Sequence, residues 1–287
     1  LHQVSNCAYL FPKEELVSAN ATTRVVAVAN SVGGKYSATT LPRDCRLAVE
    51  SADHVAFRDL AWNTTHPHIA HAQSRPDSAV LTSLLFHDTI AQYGNMGQVR
   101  HVRKGTGYLA IQFKETDLYW NRAGMIANVL DGIYNMTNLT TVFFQAGSVP
   151  HHDSLALYQK VSHQMTTPFF IFTTTHVWSV VALIRYSSAV ISTSLHVRIM
   201  AFVHARPRVT ICTPFGKHAS FIGLWESKDA TKCVESFWNA SVVTSAVEKS
   251  MAILPNATYT AQQHAIDVYL DGFEVWSSLF DKADWVS

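Results

Sequence analysis

The chain has 287 residues and a formal net charge of +1, from 22 Lys and Arg against 21 Asp and Glu. With 15% of residues charged and 48% hydrophobic, disorder, a basic nucleic-acid-binding field and a small disulfide scaffold are all excluded, and there is room for one large or two ordinary domains. The most apolar stretch, 169–191, is interrupted by three threonines, His176 and Arg185 and falls short of the roughly 18 to 20 apolar residues a membrane span needs.

Residues 24–30 (RVVAVAN) form a β-branched run ending in Ser31-Val32-Gly33-Gly34, the pattern of a buried strand entering a glycine loop. Further strands are predicted at 53–58 and near 69–73, ahead of Arg75-Pro76-Asp77. From 88 to 106 apolar periodicity fades while glycine and basic residues gather. This reads as a linker, with Arg100, Arg103 and Lys104 as its solvated basic cluster, and it divides the chain into domains 1–106 and 107–287. Beyond it, strands predicted at 108–113, 141–145, 168–172, 189–192 and 208–212 alternate with helices at 117–130 (stopped near Gly132), 153–164, 178–186 and 195–205. The expected fold class is α/β, two Rossmann-like domains: a doubly wound parallel sheet in the C-terminal half, and an N-terminal half with fewer strands that reads as incomplete. Tyr269, Phe273, Trp276 and Phe280, spaced by three or four, predict a C-terminal helix packed on the core.

Six of the eleven asparagines (Asn20, Asn63, Asn135, Asn138, Asn239, Asn256) stand in N-x-S/T sequons, where chance predicts about two. The excess points to the secretory pathway and a Golgi lumen, or to the cytoplasm if the sequons are unused. A chain starting at Leu1 fits a piece trimmed from a membrane anchor, so membrane association is expected only through a segment outside it. Cys7, Cys45, Cys212 and Cys233 allow three pairings or buried free thiols, and none has the C-x-x-C spacing of zinc or redox sites.

In open α/β sheets ligands bind beyond the carboxyl ends of strands, where helix N-termini offer free N–H groups to anions. One junction fits best. Residues 189–201 run from strand through the hydroxyl-rich Ser192-Thr193-Ser194 into a helix, placing His196 in the first helical turn as the candidate catalytic residue, since imidazole titrates near neutrality. Ser192 and Ser194 are candidate donor-binding residues. Lys114 at a strand end, Lys217 in a loop and Arg58 beside Asp59 are candidate anion ligands, the last two equally readable as a solvated lysine and an internal ion pair. His151-His152 before Asp153 lack a third ligand at metal spacing, and no metal site is expected.

The segment 191–211 (ISTSLHVRIMAFVHARPRVTI) resembles the S-x-R/S-L-H-g-x-x-x-A-x-x-x-g-x-P signature of the polysaccharide pyruvyl transferase family. Thr213-Pro214-Phe215-Gly216-Lys217 and Phe221-Ile222-Gly223-Leu224 are similar to its next element, an aromatic loop, a lysine and a short helix. Phe57-Arg58-Asp59, Arg75-Pro76-Asp77 and Gln145 with Asp153 match more weakly, so the resemblance spans 25–224. The sequence departs from the family at Val197 and Ala205, where glycine is usual, and lacks its glycine-and-aspartate opening strand. The resemblance implies a GT-B-like pair of Rossmann-type domains. It also implies a transferase that moves the pyruvate group of phosphoenolpyruvate, as donor substrate and without a cofactor, onto a hexose of a glycan or polysaccharide as a ketal. That chemistry needs cations and N–H groups for the donor's phosphate and carboxylate, and a proton donor for the enol.

Two other functions stay open. A nucleotide-sugar-dependent GT-B glycosyltransferase would want an acidic ribose ligand, for which Glu226 is the candidate. A degenerate, non-catalytic glycan-binding domain would keep oligosaccharide binding without turnover.

Overall fold

The computed structural model describes residues 28–32, 54–57, 72–147, 152–213, 216–253 and 255–281. The chain divides into two compact units, residues 1–78 with 264–287, and residues 79–263. The boundary expected at 106/107 thus lies at 78/79, and the C-terminal end belongs with the first unit rather than the second. No described helix is long and apolar enough to cross a membrane.

In the first unit, β1 (Val28–Val32), β2 (His54–Phe57) and β3 (Ala72–Ser74) pair in parallel in that order. Just after β3 the buried Arg75 guanidinium donates to the carbonyls of Val268 and Tyr269 at 3.3 and 3.4 Å, and to the Gln73 side chain. Both carbonyls lie on the C-terminal helix Pro255–Asp281, which covers the predicted one and buries Tyr269. At Gly272 of that helix the Arg75 guanidinium occupies the place of a Cβ, so a side chain there would have to displace it. Arg58, Cys7 and Cys45 lie outside the described residues.

The second unit begins with three short helices, α1 (Thr82–Leu85), α2 (His87–Gly94) and α3 (Gly97–Arg103), and α2 and α3 occupy most of the stretch 88–106 that the sequence presents as a linker. Among the three only Ile90 and Gly94 on α2 and Val99 on α3 are buried, and α1 buries none, too few to make a readable stripe. Gly94 is there because the Tyr186 ring packs on it and leaves no room for a Cβ. Arg103 is no solvated linker cation: it donates to the Gly94 carbonyl at 2.7 Å and stacks 3.6 Å over the Tyr186 ring.

The sheet of this unit holds β4 (Tyr108–Gln112), β5 (Thr140–Phe144), β6 (Phe169–Phe172), β7 (Ala189–Ser192) and β8 (Arg208–Thr210), all parallel, in the order β6-β5-β4-β7-β8. Strands buried on both faces read as continuous apolar runs, and all five residues of β4 are buried. Helices α4 (Asp117–Asn121) and α5 (Ala123–Thr137) replace the single predicted helix. Gly132 does not stop α5, which runs past it to Thr137; the helix ends at Asn138 in the left-handed conformation, φ 57°, a position that asparagine tolerates. Next come α6 (Leu155–Ser162), α7 (Val177–Tyr186), α8 (Leu195–Val203), α9 (Lys217–Trp225) and α10 (Ala240–Ala252). One core joins Leu109 and Ile111 of β4, Phe143 of β5 and Ile191 of β7 to Ile126 and Leu130 of α5, Leu157 of α6 and Val243 of α10.

Beyond β8, Ile211 pairs in parallel with Val234, and the Cys212–Cys233 disulfide fastens the two segments. All four sequon asparagines within the described residues, Asn135, Asn138, Asn239 and Asn256, are exposed.

Candidate functional site

The chain builds from β4 through β5 to β6 on one side, then returns to lay β7 and β8 on the other side of β4. The neighbours β4 and β7 are thus the topological switch point, the place where, in open α/β sheets, chains leaving the strand ends diverge and open a ligand crevice.

The floor of that crevice is a closed polar network. Gln112, the last residue of β4, accepts on Oε1 from the Ser192 hydroxyl at 2.8 Å and from the Thr193 N–H at 3.3 Å, and donates through Nε2 to Asp153 Oδ1 at 2.7 Å. The Asp153 carboxylate, with no exposed side-chain surface, also accepts from the Ala146 and Gly147 N–H groups at 2.6 and 3.2 Å and contacts His152 Nδ1 at 3.1 Å. Gln145 Nε2 donates to the Asp153 carbonyl at 3.0 Å. Lys114 pairs with Asp153 in an antiparallel bridge, and its N–H donates to Thr193 Oγ1 at 2.8 Å. Tyr158 fixes the end of β4 from below: its hydroxyl donates to the Phe113 carbonyl and accepts from the Phe113 N–H. Burial, with Asp153 beside it, raises the Tyr158 pKa well above the tyrosine range, so the proton stays on. Three strand-end loops are thereby locked by buried groups that satisfy one another, which is what holds a site in place.

Above this floor stand the predicted residues. His196 is exposed in the first turn of α8 and Lys114 is exposed at the end of β4. Ser194 is the α8 N-cap by backbone alone, without a side-chain bond to the helix. Ser192 departs from its expected donor-binding role: it is 1% exposed, and its hydroxyl is spent on Gln112, on the Ser194 carbonyl and on the Ser194 N–H, which donates to it at 2.8 Å. It positions the loop. Lys217 opens α9, exposed at the same end of the sheet after β8. Val197 does not narrow the crevice, because its side chain points into the core, 2% exposed.

Glu226 cannot serve a ribose. Its carboxylate is fully buried, held by Arg198 Nε and Nη2 at 2.6 and 2.9 Å and by Arg208 Nε and Nη2 at 3.0 and 2.7 Å. Burial alone would raise its pKa, but the two guanidiniums overcome that and hold it at about 2. Among the described residues no group of three His, Cys, Asp or Glu side chains is placed to hold a metal.

Sequence reasoning missed Gln112, Arg198 and Arg208. The signal for the first two was available: a glutamine closing the apolar run Tyr108 to Ile111, and one arginine among the apolar residues of α8.

No family model and no curated protein matches the chain. Solved structures do. The alpha,alpha-trehalose 6-phosphate synthase of Burkholderia multivorans superposes with a TM-score of 0.53 at 12% identity, over 85% of this chain. The UDP-forming alpha,alpha-trehalose-phosphate synthase of Burkholderia vietnamiensis gives 0.52 at 11% over 90%. UDP-GlcNAc 2-epimerase from Neisseria meningitidis, solved with UDP-GlcNAc, gives 0.52 at 9% over 86%. The chain spans 63%, 68% and 70% of their lengths. At such identities the likeness speaks for the fold alone: an α/β protein with a parallel sheet of the GT-B kind.

Proposed function

We propose that this chain is a sugar-modifying transferase whose phosphate-bearing donor is held in the β4–β7 crevice, between the first turn of α8 and Lys114. The observation that carries the reading is the switch point itself: exposed His196 and Lys114 stand over a floor with its polar groups already paired. The first-turn N–H groups of α8 and the positive end of its dipole favour an anion. His196 is the candidate to donate a hydrogen bond or a proton, and Lys217 and Arg58 are candidate further ligands. The acceptor is a hexose of a glycan, in keeping with the exposed sequons and a secretory, Golgi-type setting.

The donor is first a nucleotide sugar, the reading favoured by likeness to a UDP-forming synthase and an epimerase solved with UDP-GlcNAc. Phosphoenolpyruvate, giving a pyruvate ketal, is the second reading, and one observation favours it. Ala205 has a left-handed backbone, φ 52°, at the position where the resembled pyruvyl transferase family carries the glycine such a backbone suits.

Thermal unfolding with UDP and, separately, phosphoenolpyruvate distinguishes the two. A ligand at 100 times its Kd stabilises by about 2.7 kcal/mol, a readily measured rise in Tm. A rise with UDP alone assigns the nucleotide sugar, and a rise with phosphoenolpyruvate alone assigns pyruvyl transfer. The rise should vanish in His196→Ala and Lys114→Ala variants that unfold at the parent temperature. No rise with either compound overturns the donor site and leaves a non-catalytic glycan-binding domain.

A further inference from the structure

The opposite end of the same sheet holds a cavity of about 300 Å³, where Ser188 leads into β7 and Arg206-Pro207-Arg208 lead into β8. The end of α10, through Ser250, and the start of the C-terminal helix, through Thr258, close it. Two residues of its lining, Thr231 and Ser250, each carry a buried side-chain hydroxyl that has no protein hydrogen-bond partner, on residues 6% and 2% exposed. Buried hydroxyls are nearly always paired, and each exception calls for an explanation.

The charged side chains around the cavity sum to a positive charge. Its only carboxylate, Glu226, is shared by Arg198 and Arg208, so that triad carries a net +1. Arg206 donates to the His204 carbonyl at 2.8 Å and at longer reach to the Ser187 carbonyl, and it forms no ion pair among the described residues. An adjoining basin of about 500 Å³ shares Ala230 and Thr231 with the first cavity, and Lys228, Lys232 and Lys249 stand around it with Ser241 and Ser245. Cations supply the attraction for an anion, and unpartnered hydroxyls supply specific pairing for a polyol.

We infer that this end of the sheet is a second binding site, separate from the donor crevice, for an anionic sugar: a hydroxyl-rich ring carrying phosphate, sulfate or carboxylate. The ring lies in the smaller cavity against Thr231 and Ser250, and the anionic group meets Arg206. The inference stands whichever donor the crevice takes. Two sources share this chemistry, a free sugar phosphate acting as an effector and an acidic residue within a glycan chain. The lysine-lined basin favours the chain, because it extends the positive surface past one ring.

Calorimetry on the deglycosylated chain, with glucose 6-phosphate, a uronate-containing tetrasaccharide and neutral glucose as probes, tests this. Binding of glucose 6-phosphate alone identifies an effector site, and stronger binding of the tetrasaccharide identifies a glycan-chain site. In both cases Arg206→Gln and Ser250→Ala should weaken binding about tenfold and His196→Ala should not. Ser250→Ala carries a second signature: it removes an unpaired buried hydroxyl, so the unliganded variant should unfold at or above the parent temperature while binding less. The inference is overturned if neither anion binds, if glucose binds as well as they do, or if both variants bind like the parent.

Discussion

The two ends of the five-stranded sheet solve opposite problems with the same materials. At the carboxyl ends of β4 and β7 the buried polar groups are neutral or singly charged and saturate one another, from Gln112 to Asp153 and from Ser192 to the Ser194 amide. At the amino ends of β7 and β8 the buried polar groups are ions, two arginines on one glutamate, beside hydroxyls that no protein group satisfies. The first arrangement fixes loops so that exposed groups above them stay in place. The second keeps a positive field under a cavity, at the cost of burying charge. Rigidity at one end and unmet hydrogen-bonding capacity at the other are therefore separable, and each can be broken by itself.

The largest effect is expected from Glu226→Gln, which leaves Arg198 and Arg208 buried without a counter-charge. Removing one partner of a buried ion pair costs about 3–5 kcal/mol. At roughly 2–4 °C per kcal/mol for a unit of this size, Tm should fall by about 6–20 °C in calorimetry. A loss no larger than that of a surface glutamate would mean the triad is not dry.

Acid should act on this same end in two separable windows. His204 is driven down from its ordinary 6.5 to about 3, first by burial and then by Arg185, Arg206 and His87. Below pH 6.5 the unfolded chain therefore takes a proton there that the folded chain refuses, and stability falls as pH drops from about 6.5 toward 3. Glu226, lowered from 4.5 to about 2 by its arginines, contributes stability present above 4.5 and lost as pH falls from there toward 2. His204→Gln should flatten the denaturation profile between pH 6.5 and 4.5 while leaving the lower limb. An unchanged upper limb would exclude His204 as its source.

The other end is sharpened by Asp153→Asn. The substitution turns one acceptor oxygen into a donor, facing either Gln112 Nε2 at the Oδ1 position or the amides of Ala146 and Gly147 at the Oδ2 position, a mispairing worth about 1–3 kcal/mol. Because Gln112 also holds Ser192 and Thr193, amide exchange should quicken at Thr193 and Ser194 as well as at Ala146 and Gly147. Loss confined to the last two would show that the loops are independent.

How much of this was readable follows from the distance between partners. The strands of the second unit are short apolar runs buried on both faces, and β4 to β8 lie within two residues of their predicted bounds. The β7–α8 junction was readable for the same reason, since a strand, a hydroxyl cap and a helix follow one another along the chain. The helices α2 and α3 were not: seven or eight residues with one or two buried anchors leave no periodicity, and Gly94 answers to Tyr186, far along the sequence. Glu226 was misread for a like cause. A lone acidic residue in the sequence suggests a ligand, and only the fold brings Arg198 and Arg208 to it across 28 and 18 positions.

The smallest effect concerns the turn that joins α8 to β8 and borders the cavity. There the Arg206 N–H donates to the Ala201 carbonyl at 2.8 Å and the Ala205 N–H to the Phe202 carbonyl at 2.9 Å, the paired bonds of a Schellman cap, with Pro207 following as such caps favour. The cap places its left-handed residue at Ala205, φ 52°. A Cβ in that conformation costs roughly 1–2 kcal/mol, while glycine there gives back about 0.4–1 kcal/mol through the freer unfolded chain. Ala205→Gly should therefore stabilise the protein by about 0.5–1 kcal/mol, a rise of a few degrees at most, and Ala205→Val should destabilise it. Neither change removes a hydrogen bond from either end of the sheet, so UDP or phosphoenolpyruvate should shift Tm in Ala205→Gly by the same increment as in the parent. If Ala205→Gly instead lowers Tm, the turn is not left-handed at this position, and the agreement between the cap and the glycine of the resembled family dissolves with it.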